Sequence, residues 1–368
     1  MKNEVNRALV AKKRSYSAAV LQCSGLIVAL ATVLLAGCSP RVATSFWRIG
    51  TEADSLRPGY AVLYEGQKMR HCYPIREWTD SPDVDTYHQL HHHGVAVESE
   101  LMAYRIYFDR KQTIDPYCKR TPQLELAQSY WYPNDSLLQA GYGDDILRVS
   151  GTVGVGSVKY WNGEKMVHIE PVAERSQRIV RQTRKEAVIE VAVKGWQVEG
   201  KSVDMTVQYT MRAGHRDMRC DVYLSEPVEG LCTGVQTIPA KGGNPINSSW
   251  KSKDGILLTS WGTDWPVNDS TKYAKETVGL GVFIPAACAG RLVQDRQNKL
   301  GLLSFSPQDG LSVKRSISDN GLSGEAGLKM CHTHFYLTCC GATKENHPAA
   351  TSAEEWLSYL RLWAKELR

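Results

Sequence analysis

The sequence predicts a mainly β protein, a large antiparallel β-sandwich with a short C-terminal helix. Three observations predict it. Short runs of β-branched and aromatic residues recur along most of the chain, turn-forming pairs separate them, and convincing helical spacing occurs only near the C-terminus. Strands are expected over 60–64, 96–108, 146–149, 165–171, 176–182, 187–194, 202–212, 218–224, 234–238, 255–260, 277–285, 299–305 and 332–338. The punctuation is Asn162-Gly163, Glu199-Gly200, Ala213-Gly214, Asp254-Gly255 and Asp319-Asn320-Gly321. At the end, Ser352-Ala353-Glu354-Glu355 has the character of a capping box, and Trp356, Leu357, Leu360 and Trp363 follow at helical spacing.

The N-terminus is of a different kind. Lys2, Arg7, Lys12, Lys13 and Arg14 precede a mostly apolar run from Ala18 to Ala36, which ends in Leu35-Ala36-Gly37-Cys38. That order matches a bacterial secretory signal whose cleavage point carries a cysteine, the pattern of a lipoprotein. Lipidation is therefore expected at Cys38. The rival is a transmembrane helix, for which the apolar stretch is near the minimum length. No acidic run follows in Ser39-Pro40-Arg41, so the anchor is expected to face the periplasm, in the outer membrane. The domain plan is a signal peptide over 1–37, a tether over 38–55 and a single sandwich domain over 56–368.

Composition is that of a globular protein, 42% hydrophobic and 23% charged. The net charge of +5 includes the five basic residues of the signal, and no dense Lys/Arg stripe follows, so nucleic acid is not an expected partner. The only membrane contact expected is the lipid. Eight cysteines follow Cys38: Cys72, Cys118, Cys220, Cys232, Cys288, Cys331, Cys339 and Cys340. Their spacing matches no zinc pattern. An oxidising compartment permits disulfides, yet buried free thiols suit a domain of this size equally well.

Four constellations carry chemistry. His88, His91, His92 and His93 are four of the ten histidines of the chain, packed into six positions. Neutral imidazoles serve proton transfer or metal binding; the rival is a solvated loop. Read as one strand, 96–109 puts Glu98, Glu100 and Tyr104 on one face and Arg105, Tyr107 and Asp109 on the other. An inward Arg with a carboxylate lines a cleft or forms an internal ion pair, for example with Asp109 or Asp115. Gly141-Tyr142-Gly143-Asp144-Asp145 follows Tyr130-Trp131-Tyr132. Aromatic faces beside carboxylates suit a sugar site, and Lys119-Arg120 add cations for an anionic substrate. The Gly-rich 151–157 segment lies between strands and is a weak dinucleotide signal. Lastly, His332-Thr333-His334 alternates, so both imidazoles share a face; that spacing can hold a metal or a substrate, although one core and one rim residue is the commoner outcome.

Glu98-x-Glu100-x-x-Ala103-Tyr104-Arg105-Ile106-Tyr107, Ile114-Asp115-x-Tyr117-x-Lys119, Gly141-Tyr142-Gly143-x-Asp145, Gly151-x-x-x-Val155-Gly156 and Trp161-x-Gly163-Glu164 resemble, in this order, the bacterial family catalogued as domain of unknown function 4861. The similarity extends to the Glu354-Glu355-Trp356-Leu357 helix; Cys118 replaces a glycine of the family pattern. The resemblance implies a galactose-mutarotase-like β-supersandwich from polysaccharide utilisation systems of Bacteroidota. It also implies uronic-acid-processing activity, including an oligosaccharide dehydratase.

The expected partner is therefore a uronic-acid-containing oligosaccharide, and the expected reaction β-elimination across C4–C5, by a lyase or dehydratase. That reaction needs a cation at the carboxylate, a base for the C5 proton and an acid for the O4 leaving group. His92, His93, Tyr104 and Tyr142 are the expected catalytic residues; Glu98, Glu100, Arg105, Lys119 and Asp145 are expected to bind substrate. No metal and no cofactor is assigned. The alternatives are a glycoside hydrolase, for which Glu98 and Glu100 stand too close at roughly 6.6–6.8 Å between Cα atoms, and a non-catalytic glycan-binding lipoprotein. Labelling cells with a palmitate analogue is expected to tag the protein, and Cys38→Ala to abolish the tag and release soluble protein. A tag that survives the substitution contradicts the lipoprotein assignment.

Overall fold

The computed structural model describes residues 41–46, 60–64, 69–72, 90–129, 131–239, 245–267, 270–271, 273–305 and 330–367. Residues Arg41–Arg368 pack as one unit. The signal peptide, the histidine His88 and the Asp319-Asn320-Gly321 turn lie outside the described residues.

A ten-stranded sheet is the backbone of the fold. Its order is β15 (Ile246–Ser252), β16 (Gly255–Asp264), β17 (Glu276–Pro285), β20 (Cys331–Gly341), β13 (Met218–Leu224), β12 (Lys201–Arg212), β11 (Glu186–Val198), β10 (Glu174–Gln182), β2 (Tyr60–Tyr64) and β3 (Met69–Cys72). Two five-stranded sheets accompany it. One runs β1 (Val42–Ser45), β4 (Gly94–Ser99), β5 (Met102–Tyr107), β6 (Ile114–Cys118), β7 (Asp144–Asp145). The other runs β18 (Ala289–Gln294), β19 (Asn298–Leu303), β14 (Leu231–Gln236), β8 (Lys159–Trp161), β9 (Met166–Val167). The strand ladders are antiparallel, as the short turns between successive runs require. At the β11–β12 hairpin, Glu199 and Gly200 both take positive φ, +52° and +73°, which matches the turn expected there.

One apolar core joins all three sheets. Val95, Val97, Met102 and Ile106 of the first small sheet, Leu231 and Val235 of the second, and Val207, Met218, Val222, Leu280 and Phe335 of the large sheet belong to it. The other face of the large sheet is covered at one end by α2 (Ala353–Glu366), which the expected Ser352 cap begins by accepting a hydrogen bond from Glu355 N. Trp356 and Leu360 of α2 lie on Gly279 and Gly281 of β17; a Cβ on Gly279 would come within 2.7 Å of the Trp356 indole. The glycines let the helix approach the sheet. Away from α2, no other helix or strand among the described residues lies over that face.

The antiparallel sandwich and the C-terminal helix are as the sequence predicts. Several elements differ: the strand expected over 165–171 is only Met166–Val167, and Ile114–Cys118, Ile246–Ser252 and Ala289–Gln294 have no counterpart among the expected runs. The strand expected over 96–108 is the β4–β5 hairpin: Ser99 Oγ accepts from Leu101 N at 3.0 Å and Met102 N at 3.3 Å, closing a turn that has no Gly, Pro or Asn to announce it. The expected tether over 38–55 contributes an edge strand, since Val42–Ser45 pairs with β4. The apolar run 146–149 is irregular, although Ile146, Leu147 and Val149 are buried in the core. The cysteines Cys118, Cys220, Cys232, Cys288, Cys331, Cys339 and Cys340 are free thiols. Among the described residues no helix is long and apolar enough to cross a membrane.

Candidate functional site

Two polar sets stand on opposite sides of the sandwich. The first lies on the outer face of the β1–β7 sheet and contains most of the residues singled out in the sequence. The hairpin turn shifts the strand phase, so Ala96, Arg105 and Asp115 form one cross-strand row and Glu98, Ala103, Tyr117 and Asp145 the next, on the same face. Arg105 is 1% exposed. Its Nη2 donates to Asp115 Oδ2 at 2.5 Å and Asp145 Oδ2 at 2.8 Å, and Nη1 donates to Trp131 O at 2.6 Å. Tyr107 donates its hydroxyl to the same Asp115 oxygen at 2.6 Å. Burial raises both Asp115 and Asp145, while Arg105 pulls each back toward ionisation.

The histidine loop closes over this row. His93, at φ +60°, stacks on Trp131 with ring centroids 4.5 Å apart. His91 Nε2 and His92 Nε2 meet Leu126 O at 3.0 and 2.7 Å. His92 is fully buried, and burial, reinforced by His91 and Arg105, holds its pKa well below that of a free histidine. Lys119 pairs with Glu98, whose carboxylate also accepts from Glu125 N at 2.8 Å and Leu126 N at 3.0 Å. His92, His93, Arg105 and Asp145 therefore come together, and Glu98 with Lys119 beside them. Tyr104, Glu100 and Tyr142 do not join them. Tyr104 points the other way, giving its hydroxyl to Arg216 O at 2.6 Å. Glu100 sits in the turn, paired with Arg41 and accepting from Gly214 N. Tyr142 is half-buried after α1 (Asp135–Gln139), its N–H bonded to Leu137 O. In this buried layer carboxylates and cations neutralise one another, while Arg105 Nε, Asp115 Oδ1 and His92 Nδ1 have no hydrogen-bond partner among the described residues.

The second set lies on the open face of the ten-stranded sheet. Met218, Cys220, Val222 and Leu224 of β13 face the core, so Arg219, Asp221 and Tyr223 face outward. β20 does the same with His332, His334 and Tyr336, and the register opposes Arg219 to Tyr336, Asp221 to His334 and Tyr223 to His332. All six are half-buried except Tyr336, which is 9% exposed. Arg219 donates twice to Asp221, at 2.8 Å each, and its Nη1 donates to Tyr336 Oη at 3.3 Å. His332 Nε2 lies 2.9 Å from Asp221 Oδ1 and its ring stacks on Tyr223 at 4.9 Å. Burial raises Asp221, but the hydrogen bonds from His332 and Arg219 outweigh it and bring the carboxyl down to about 2. Both imidazoles are on the open face, so the core-and-rim expectation for His332 and His334 is not what forms. The row continues through Gln208, which donates to Glu190 at 2.9 Å, and Arg178, bonded to Glu190 at 2.7 Å.

A cleft of about 680 Å³ adjoins this face, bounded by α2 and the turn after β12. Thr210, Arg212, Arg219, Tyr336, Tyr359 and Trp363 line it. The Trp363 indole N–H has no hydrogen-bond partner among the described residues. Cations and aromatic rings in one concavity suit an acidic sugar. The sequence reading missed these residues, although the alternation Met218-Arg219-Cys220-Asp221-Val222-Tyr223-Leu224 is a readable signal for an outward polar face.

The model of one family matches residues 64–368. The chain belongs to the family described as Domain of unknown function (DUF4861). No curated protein matches it. The buried network and the open cleft are therefore both features of a DUF4861 domain, and mutation separates them. Arg105→Met leaves Asp115 and Asp145 buried without their cation and is expected to cost about 3–5 kcal/mol of stability. Urea unfolding measures this; an unchanged midpoint contradicts a structural role for the network.

Proposed function

We propose that the protein acts on uronic-acid-containing oligosaccharides by β-elimination across C4–C5, as a lyase or dehydratase, in the cleft on the open face of the ten-stranded sheet. The observation that carries this reading is the Arg219–Tyr336 contact, inside a cleft that also holds Arg212 and two further aromatic rings. Arg219 and Arg212 neutralise the C6 carboxylate, which makes the C5 proton removable. Tyr336, in its phenolate form, takes that proton. The C5–H electron pair forms the C4–C5 double bond as the C4–O4 bond breaks, and the departing oxygen receives a proton, from Tyr336 when both groups leave from one face. Tyr359 and Trp363 offer flat surfaces to the sugar rings. Burial weighs against His92 and His93 as the base, because a C5 proton must reach the imidazole.

We also propose that Cys38 anchors the domain to the membrane, facing the periplasm; the lipobox supports this. The sign of elimination is ultraviolet absorbance from the new conjugated double bond when the protein meets uronate oligosaccharides. Tyr336→Phe is expected to fold normally and to lose at least about 100-fold in rate. New reducing ends without absorbance identify a hydrolase instead. Binding without either product identifies a glycan-binding protein.

A further inference from the structure

We propose that Asp221, His332 and His334 form a binding site for one divalent transition-metal ion, with zinc as the representative ion. The proposal goes beyond the elimination reading and does not rest on it. One ligand atom from each of the three residues lies within 4.8 Å of the other two. The sheet itself sets this up. His332 and His334 are two residues apart on one strand face, and Asp221 is the direct cross-strand partner of His334. The two imidazole rings are nearly parallel, 13° apart with centroids 5.9 Å from one another, so both present their edges to the same volume.

Zinc bonds of about 2.0–2.2 Å in tetrahedral geometry place donors roughly 3.4 Å apart. The present separations close to that by side-chain rotation, which half-buried residues on an open face permit. Two nitrogens and one carboxylate oxygen suit zinc, nickel or copper rather than calcium or magnesium, which take oxygen shells. The surroundings complete the arrangement. Arg219 holds both oxygens of Asp221, fixing the carboxylate plane. Cys288 Sγ lies 3.4 Å from His334 Nδ1, which leaves Nε2 of that ring for the metal. His332 Nε2 and Asp221 Oδ1, 2.9 Å apart, share a proton that the metal would replace. Three protein ligands leave a fourth position open toward the sheet face, the arrangement of reactive rather than purely structural zinc. An ion there would stand beside Arg219 at the end of the cleft and add a second electrophile for an anionic group.

The rival is an Asp–His hydrogen bond that binds no metal. The full-length chain, stripped with a chelator, is titrated with zinc by calorimetry, and with cobalt(II) by visible absorbance. One zinc per chain is expected, together with the visible bands of a low-coordinate cobalt site. Asp221→Asn and His334→Ala are each expected to weaken zinc at least tenfold and to remove the cobalt bands, while exchange of the exposed His347, His347→Gln, keeps both. If Asp221→Asn loses its fold on freeing Arg219, His334→Ala, which leaves the Arg219–Asp221 pair in place, decides alone. Absence of stoichiometric zinc in the parent protein overturns the proposal. So does wild-type affinity in folded His334→Ala, or loss of binding in folded His347→Gln.

Discussion

Alternation along a strand is the constraint on which the rest of this molecule depends. Successive side chains point to opposite faces, so each core residue of the ten-stranded sheet commits its neighbour to the other side. With Met218, Cys220, Val222 and Leu224 taken by the core, Arg219, Asp221 and Tyr223 have one place to go. The same holds in β20, where core Phe335 and Leu337 flank Tyr336, and buried Thr333 puts His332 and His334 on the open face. Register then decides chemistry. Had β20 slipped by one residue, apolar groups would face solvent and the histidines would enter the core.

The two polar sets show what burial does to the same kinds of residue. In the layer over the β1–β7 sheet, Arg105 serves two carboxylates and a backbone carbonyl through its two Nη atoms, and only buried atoms such as its Nε are left without a partner among the described residues. On the open face, Arg219 holds Asp221 and touches Tyr336, yet borders a cleft with room for a sugar. Sealing makes the first network costly to disturb and poor at catalysis, since proton transfer needs contact with the substrate. Partial exposure makes the second cheaper to mutate and accessible. The sealed layer nevertheless serves the open face indirectly: it is built on the small sheet whose other side supplies Val97, Met102 and Ile106 to the shared core.

Much of the fold was legible. The periodic runs at Tyr60–Tyr64 and Met218–Leu224 are strands with those bounds, and the Ser352 cap starts the helix. The β4–β5 turn was not legible, because Ser99-Glu100-Leu101 closes through a serine hydroxyl rather than a glycine. That one turn inverts the face assignment downstream, which is why Glu98 parts from Tyr104 and shares a face with Arg105. Density of unusual residues drew attention to the histidine loop and the Arg105 strand. Long-range pairing, which brings Arg219, Asp221, His332 and Tyr336 together across more than a hundred positions, leaves no mark in local sequence. Alternation in each strand was visible; their adjacency was not.

The central claim is that substrate meets this protein on the open face of the large sheet and not at the buried histidine–arginine layer. A crystal structure of Tyr336→Phe, soaked with a uronate oligosaccharide it cannot turn over, tests this most directly. The account predicts sugar density in the cleft, with a carboxylate against Arg219 or Arg212 and a ring over Tyr359 or Trp363. Density against His92, His93 and Arg105, or an empty cleft at saturating ligand, would contradict it.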